Sequence, residues 1–186
     1  AEPAETAPEK SASGAGLGFE AGTPLAYWPM DDAPGSTTAQ DVTGNGYNGT
    51  PSGSATFGTA GQSLQTETAA AFSGSLGKIT IPYTAALNPA TFTFAAWVYA
   101  AGSTGTYQSI ITSRQDSNPA KGYVLYITPS NTWQFWTAKS GQSAWTEASG
   151  GPVAFGTWTH VAISRDASGT NRIWINGIQK ATATGA

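Results

Sequence analysis

The sequence predicts an all-β chain folded as two packed antiparallel sheets, and three observations carry that prediction. Short apolar-alternating runs recur along the chain between clusters of Gly, Pro, Asn and Asp, the pattern of many short strands joined by turns. No 3.6-residue apolar period outlasts a turn or two, so no helix of ordinary length is expected. Glycine occurs 23 times, aromatic residues make up 11% and charged residues only 10%, against about 25% charge in a typical globular protein.

The elements follow in chain order. Residues 1–20 are Ala, Glu, Pro, Ser and Gly with almost no large apolar side chain, a composition that cannot offset the entropy of ordering. They read as a tail or linker, and the sandwich is assigned to residues 21–186. Strands are expected at Leu25–Trp28, Ala70–Phe72, Lys78–Ile81, Phe92–Tyr99, Gln108–Ser113, Tyr123–Thr128, Thr132–Ala138, Trp158–Arg165 and Arg172–Ile175, with Ile178–Ala183 after them. Between the last two lies Asn176-Gly177, the signature of a two-residue type I′ hairpin, because both central positions need positive φ. The apolar run through Trp97 and Val98 predicts that Phe92–Tyr99 is covered on both faces and lies near a sheet centre.

Alternation sorts the aromatic residues. In Thr132–Ala138, Trp133 and Phe135 share one face while Gln134 and Trp136 share the other. In the preceding strand, Tyr123, Leu125 and Ile127 oppose Val124 and Tyr126. A hairpin across Pro129-Ser130-Asn131 then sets Tyr126 beside Trp136.

Bulk properties exclude several functions. A chain of 186 residues is the length of one ordinary domain plus a tail. Its eight basic residues are scattered and the net charge is −3, so no basic stripe exists to neutralise phosphates or anionic lipid. There is no cysteine, which removes disulfides, zinc thiolates and cysteine nucleophiles. The single methionine is Met30, so residue 1 is not an initiator, and a removed leader or a longer parent chain is expected. Nothing in the sequence is long and apolar enough to span a bilayer.

A family resemblance rests on Tyr27-Trp28-Pro29-Met30-Asp31, Asp41-Val42-Thr43-Gly44-Asn45-Gly46, Ala71-Phe72-Ser73-Gly74, Leu87-Asn88, Phe92-Thr93-Phe94-Ala95-Ala96-Trp97-Val98, Trp158-Thr159-His160-Val161-Ala162 and Ile175-Asn176-Gly177. In this order and spacing, from Leu25 onward, the chain resembles laminin-G-like domains of the concanavalin A-like superfamily. The resemblance implies two curved antiparallel sheets in jelly-roll order. Family members usually continue past the Asn-Gly hairpin through further strands, one of which returns beside the first strand. The resemblance therefore implies a sandwich lacking its last strands, in which Leu25–Trp28 loses a neighbour and the missing strand is supplied by another chain, a neighbouring subunit or second copy, or by a removed segment of this one.

Catalytic signatures are missing. Glycan-cleaving relatives need two carboxylates on one strand, and no such alternating pair occurs; Asp31 and Asp32 are sequence neighbours that would point to opposite faces. His160 is the only histidine and reads as a packing residue, since no Gly-x-Ser-x-Gly elbow accompanies it. The resemblance also implies calcium at a sandwich rim, where Asp31, Asp32, Asp41 and Asn45 could contribute oxygen ligands. The simpler reading is that Asp41 and Asn45 close their own turn with Asx-type hydrogen bonds.

Seven Trp and seven Tyr are many for this length, and flat aromatic faces are what sugar-binding platforms use. Tyr126, Trp136 and Trp145 form the candidate ligand surface, with core or interface packing as the alternative role for these rings. The expectation is a non-catalytic binding or adhesion module of a secreted, cell-surface or virion-surface protein, recognising glycan or protein ligands through rim loops and exposed aromatics. The alternative is a structural subunit of a virion, fibre or surface layer whose sandwich a neighbour completes. Neither involves nucleic acid or membrane insertion.

Overall fold

A computed structural model describes residues 24–185 except 63–66, 75, 116–119 and 143–144. The tail expected over residues 1–20 lies outside the described residues. The strands are β1 (Thr50–Ser52), β2 (Ala55–Ala60), β3 (Thr68–Phe72), β4 (Lys78–Thr80), β5 (Phe92–Tyr99), β6 (Gln108–Gln115), β7 (Ala120–Ile127), β8 (Thr132–Gln142), β9 (Thr146–Pro152), β10 (Trp158–Arg165), β11 (Thr170–Ile175) and β12 (Ile178–Thr184). Among the described residues the one helical element is a 3-10 turn at Ala85–Leu87.

Two four-stranded antiparallel sheets make the sandwich, in the orders β6-β7-β8-β9 and β12-β11-β10-β5. Two smaller antiparallel pairs, β1 with β4 and β2 with β3, precede them in sequence. The core lies where inward residues of the large sheets meet: Leu125, Ile127, Trp133, Phe135 and Ala148 from one, Val161, Ile163, Ile173 and Ile175 from the other. The predicted alternation holds, since Trp133 and Phe135 are fully buried in this core while Trp136 lies half-buried on the opposite face.

The hairpins that fix the register match their sequence signals. Asn176 and Gly177 adopt φ of 50° and 78°, so both central residues of the β11–β12 turn are left-handed, as type I′ requires. The β7–β8 turn closes with Asn131 N–H donating to Thr128 O, and Asn131 itself is left-handed at φ 60°. In the β10–β11 turn, Asp166 accepts from the backbone N–H of Ser168 and Thr170 and pairs with Arg172 at 2.7 Å.

A polar plug ties the two sheets together at one end. Asn171 of β11 is fully buried; its Oδ1 accepts from Thr137 Oγ1 of β8 at 3.0 Å, and its Nδ2 donates to Thr146 O of β9 at 3.0 Å. Arg165 of β10 donates to Thr137 Oγ1 at 2.6 Å and to Gly169 O at 3.2 Å. Each buried polar atom at this junction therefore has a partner on another strand, as interior polar groups require.

Two strand expectations need correction. Leu25–Trp28 is not a strand: Tyr27 N–H donates to the Asp41 carboxylate, Tyr27 O accepts from Val42, and Trp28 Nε1 reaches Tyr47 O at 2.7 Å. Its polar groups are satisfied by the following turn, and Met30 enters the left-handed region at φ 63°. Phe92–Tyr99 is not covered on both faces either. Phe92, Phe94 and Val98 pack inward, but Trp97 and Tyr99 on the other face are 38% and 50% exposed, and β5 ends its sheet. Both faces of the strand carry apolar letters, but only the face of Phe92, Phe94 and Val98 packs on the core, a difference that hydrophobicity alone does not reveal.

Candidate functional site

The outer face of the β6–β9 sheet carries a run of four rings. Tyr107 stands just before β6, Tyr126 lies on β7, Trp136 on β8 and Trp145 just before β9. Successive ring centroids are 4.9 Å apart for Tyr107 and Tyr126, 5.3 Å for Tyr126 and Trp136, and 6.3 Å for Trp136 and Trp145. The three residues singled out from the sequence thus come together on one face, and the structure adds Tyr107. Tyr126 is only 2% exposed and forms the floor, whereas Tyr107 is 59% exposed and the two indoles are half-buried. A molecule laid on this face meets Tyr107, Trp136 and Trp145 first.

Polar groups surround the rings because the ladder places them there. Across the sheet, one row reads Ser109, Tyr126, Gln134, Ser149 and the next Thr112, Val124, Trp136, Glu147. Trp136 Nε1 donates to Gln134 Oε1 at 3.2 Å, and Gln134 Nε2 donates to Glu147 Oε1. This chain orients the Trp136 indole from below and leaves Gln134 and Glu147 presenting oxygen and nitrogen beside it. Flat apolar faces edged by an amide, a carboxylate and hydroxyls suit a ligand with C–H faces and a periphery of hydroxyls.

The opposite sheet also has an aromatic outer face. Trp97 meets His160 edge-on at 5.2 Å, and Tyr99 meets Trp158 at 5.7 Å, each pair sitting directly across the β5–β10 ladder. His160 is thus a packing residue, and burial pushes its pKa below the ordinary value of 6.5. Because the folded state favours the neutral ring, the stability contribution is complete above pH 6.5 and is lost as the pH falls below it.

At the rim, Asp41 is nearly buried and saturated. Its Oδ1 accepts from Tyr27 N, Thr43 N and Thr43 Oγ1 at 3.1, 3.1 and 2.8 Å, and its Oδ2 accepts from Tyr47 N at 3.0 Å. Burial alone would raise its pKa, but these four donors outweigh it and hold the carboxyl at about 2. Asn45 Nδ2 donates to Leu25 O, and Asp32 accepts from Gln40 N. Four hydrogen bonds thus already engage the carboxylate of Asp41, and among the described residues no three His, Asp or Glu side chains, Asp31 and Asp32 included, converge on a point. The geometry is that of a turn clamp.

A prediction follows from the clamp. Asp41→Asn is expected to lower the melting temperature by a few degrees at neutral pH, since one acceptor oxygen becomes a donor facing N–H groups. In the parent chain, the contribution of Asp41 is present above about pH 3.8 and is lost as the pH falls through about 2. Thermal melts from pH 5 to pH 2 check this: the variant should show a shallower acid decline over that window than the parent.

The fold and the site geometry define a concanavalin A-like antiparallel sandwich with an aromatic outer face. A laminin G family model, described as concanavalin A-like lectin/glucanases superfamily, matches residues 73–186. The chain belongs to that family. No curated protein matches its sequence. Among solved structures it is similar to residues 221–444 of an S-layer domain-containing protein from Clostridium thermocellum ATCC 27405, with 21% identity over 84% of this chain and 70% of that one and a TM-score of 0.50. At that identity the likeness concerns the fold.

Among the described residues no helix is long and apolar enough to cross a membrane. Two features of the site had no signal in the sequence. Tyr107 lies in a Gly/Thr loop outside any alternating run, and the pairing of Gln134 with Glu147 depends on the register of β9, a strand without apolar alternation.

Proposed function

We propose that this chain is a non-catalytic binding module of a secreted or surface protein, and that the outer face of the β6–β9 sheet takes neutral oligosaccharide. The observation that carries this reading is the row Tyr107, Tyr126, Trp136 and Trp145 with Gln134 and Glu147 at its edge. Sugar rings would stack on the exposed aromatics while their hydroxyls exchange hydrogen bonds with Gln134, Glu147, Ser109 and Ser149. Glu147 beside the rings disfavours acidic sugars by like-charge repulsion. A surface setting accords with the low charge of the chain and with the S-layer domain-containing protein whose fold it shares.

Isothermal titration with neutral tetrasaccharides of glucose, mannose and N-acetylglucosamine tests the proposal. Binding of at least one, strongly weakened by Trp136→Ala and weaker for a sialylated or sulfated analogue, is the expected result. No binding by any of the three would overturn it. A structural role in a surface layer is the second reading, and the fold shared with an S-layer domain-containing protein is the observation that favours it.

A further inference from the structure

We infer that Glu147 sets the specificity of the β6–β9 face, favouring a sugar that carries a protonated amine over the same sugar with a hydroxyl or an acetamido group. The inference rests on the reading that this face takes oligosaccharide, and it narrows what the preferred oligosaccharide carries. Glu147 lies directly across the β8–β9 ladder from Trp136. It also follows Trp145 by two residues, which by strand alternation sets both on one side of the sheet. One carboxylate is thus flanked by both indoles.

The charge of that carboxylate is not met by a cation. Glu147 is exposed, its partner is the neutral amide of Gln134, and among the described residues it forms no ion pair. Arg114 shares the outer face but belongs to β6, at the opposite edge of the sheet. Three strand spacings, about 14 Å, separate the backbones of β6 and β9.

Hydrogen bonding points the same way. The Trp136 N–H is already committed to Gln134 Oε1, and one N–H of Gln134 to Glu147 Oε1. What the carboxylate still offers a ligand is acceptor capacity, above all at Oε2. An ammonium group answers with three donors and no acceptor, a hydroxyl brings both, and an acetamido group sets a carbonyl oxygen against the charge. Charged donors also make the stronger bonds to a carboxylate. The rings add a second attraction. Trp136 and Trp145 have centroids 6.3 Å apart and planes tilted by 41°, the widest interval of the row. A cation held by Glu147 between them lies inside the range of roughly 6 Å over which an aromatic face attracts positive charge. An exposed ion pair alone contributes little, but a carboxylate and two indoles acting on one ammonium make a measurable preference.

Isothermal titration of the full chain at about pH 6, where an amine of this kind carries its proton, tests the inference. The ligands are the β-1,4-linked tetrasaccharides of glucose, N-acetylglucosamine and glucosamine, which share ring configuration and linkage and differ only in the group at carbon 2. The glucosamine chain is expected to bind about fivefold or more tightly than the glucose chain, with the N-acetylglucosamine chain weakest. The preference should shrink as salt is raised. Glu147→Gln keeps an oxygen for Gln134 Nε2 and should bring the glucosamine-to-glucose affinity ratio close to one. Asp31→Asn, at an exposed acid outside the large sheets, should leave that ratio as in the parent. A glucosamine chain that binds no more tightly than the glucose chain, a preference that survives Glu147→Gln, or one lost equally with Asp31→Asn would overturn the inference. Binding of a neutral chain without this preference leaves the oligosaccharide reading standing, whereas binding of none removes both.

Discussion

Asn171→Leu is expected to destabilise the chain by about 3 kcal/mol, measured by urea denaturation, because it strands polar groups inside the sandwich rather than removing packing volume. Leucine has the same branched skeleton as asparagine and leaves no cavity, so the main loss is of hydrogen bonds. Thr137 Oγ1 loses its acceptor in the interior between the sheets, and Thr146 O, part-buried, loses its donor. Arg165 keeps Thr137 Oγ1 and Gly169 O but loses the longer contact to Asn171 Oδ1 at 3.4 Å. The double variant Thr137→Val/Asn171→Leu should cost less than the sum of the two single changes, since each single change leaves part of the other's hydrogen bond unpaired. Additive losses would mean that the two groups do not act as one network.

Trp136→Ala is expected to weaken oligosaccharide binding by roughly 30-fold or more, the scale of a central aromatic anchor of an interface. The indole is the hub of the site: it touches Tyr126 and Trp145 and donates to Gln134, which in turn holds Glu147. Its removal takes away the stacking surface and frees the polar pair at its edge. Because Trp136 lies outside the central core, the variant should remain folded, with the near-UV signature of the other aromatics retained. Trp136→Phe keeps a ring but not the indole N–H, and should fall between the two. A variant that unfolds would place Trp136 among the residues that hold the sheet together instead.

Much of the fold was legible because side chains in strands alternate. Leu125, Ile127, Trp133 and Phe135 announce an inward face, and Asn176-Gly177 fixes a hairpin to within a residue. What the sequence concealed lies where neighbours impose structure. β9, Thr-Glu-Ala-Ser-Gly-Gly-Pro, shows no alternation and forms because β8 offers it a ladder; β1 and β2 are similarly short and poor in apolar residues. The opposite error came at Leu25–Trp28, an apolar run whose backbone is claimed by Asp41 and its turn rather than by a strand. The site was half legible: alternation brought Tyr126 and Trp136 together, but the addition of Tyr107 and the pairing of Gln134 with Glu147 are tertiary facts. The buried plug of Asn171, Thr137 and Arg165 carries no signal at all, since Asn in a turn-rich chain usually means a turn.

The central claim is that the β6–β9 outer face, and no other aromatic surface, receives sugar. The chain has seven tryptophans, so the indole N–H resonances of a nitrogen-15-labelled sample divide the molecule into surfaces. Titration with the tetrasaccharide that binds best is predicted to shift the signals of Trp136 and Trp145 together, saturating at one equivalent, with Trp97, Trp158 and Trp174 unmoved. Shifts confined to Trp97 and Trp158, or no shift of Trp136 at saturation, would contradict the account and move the binding site to the other sheet.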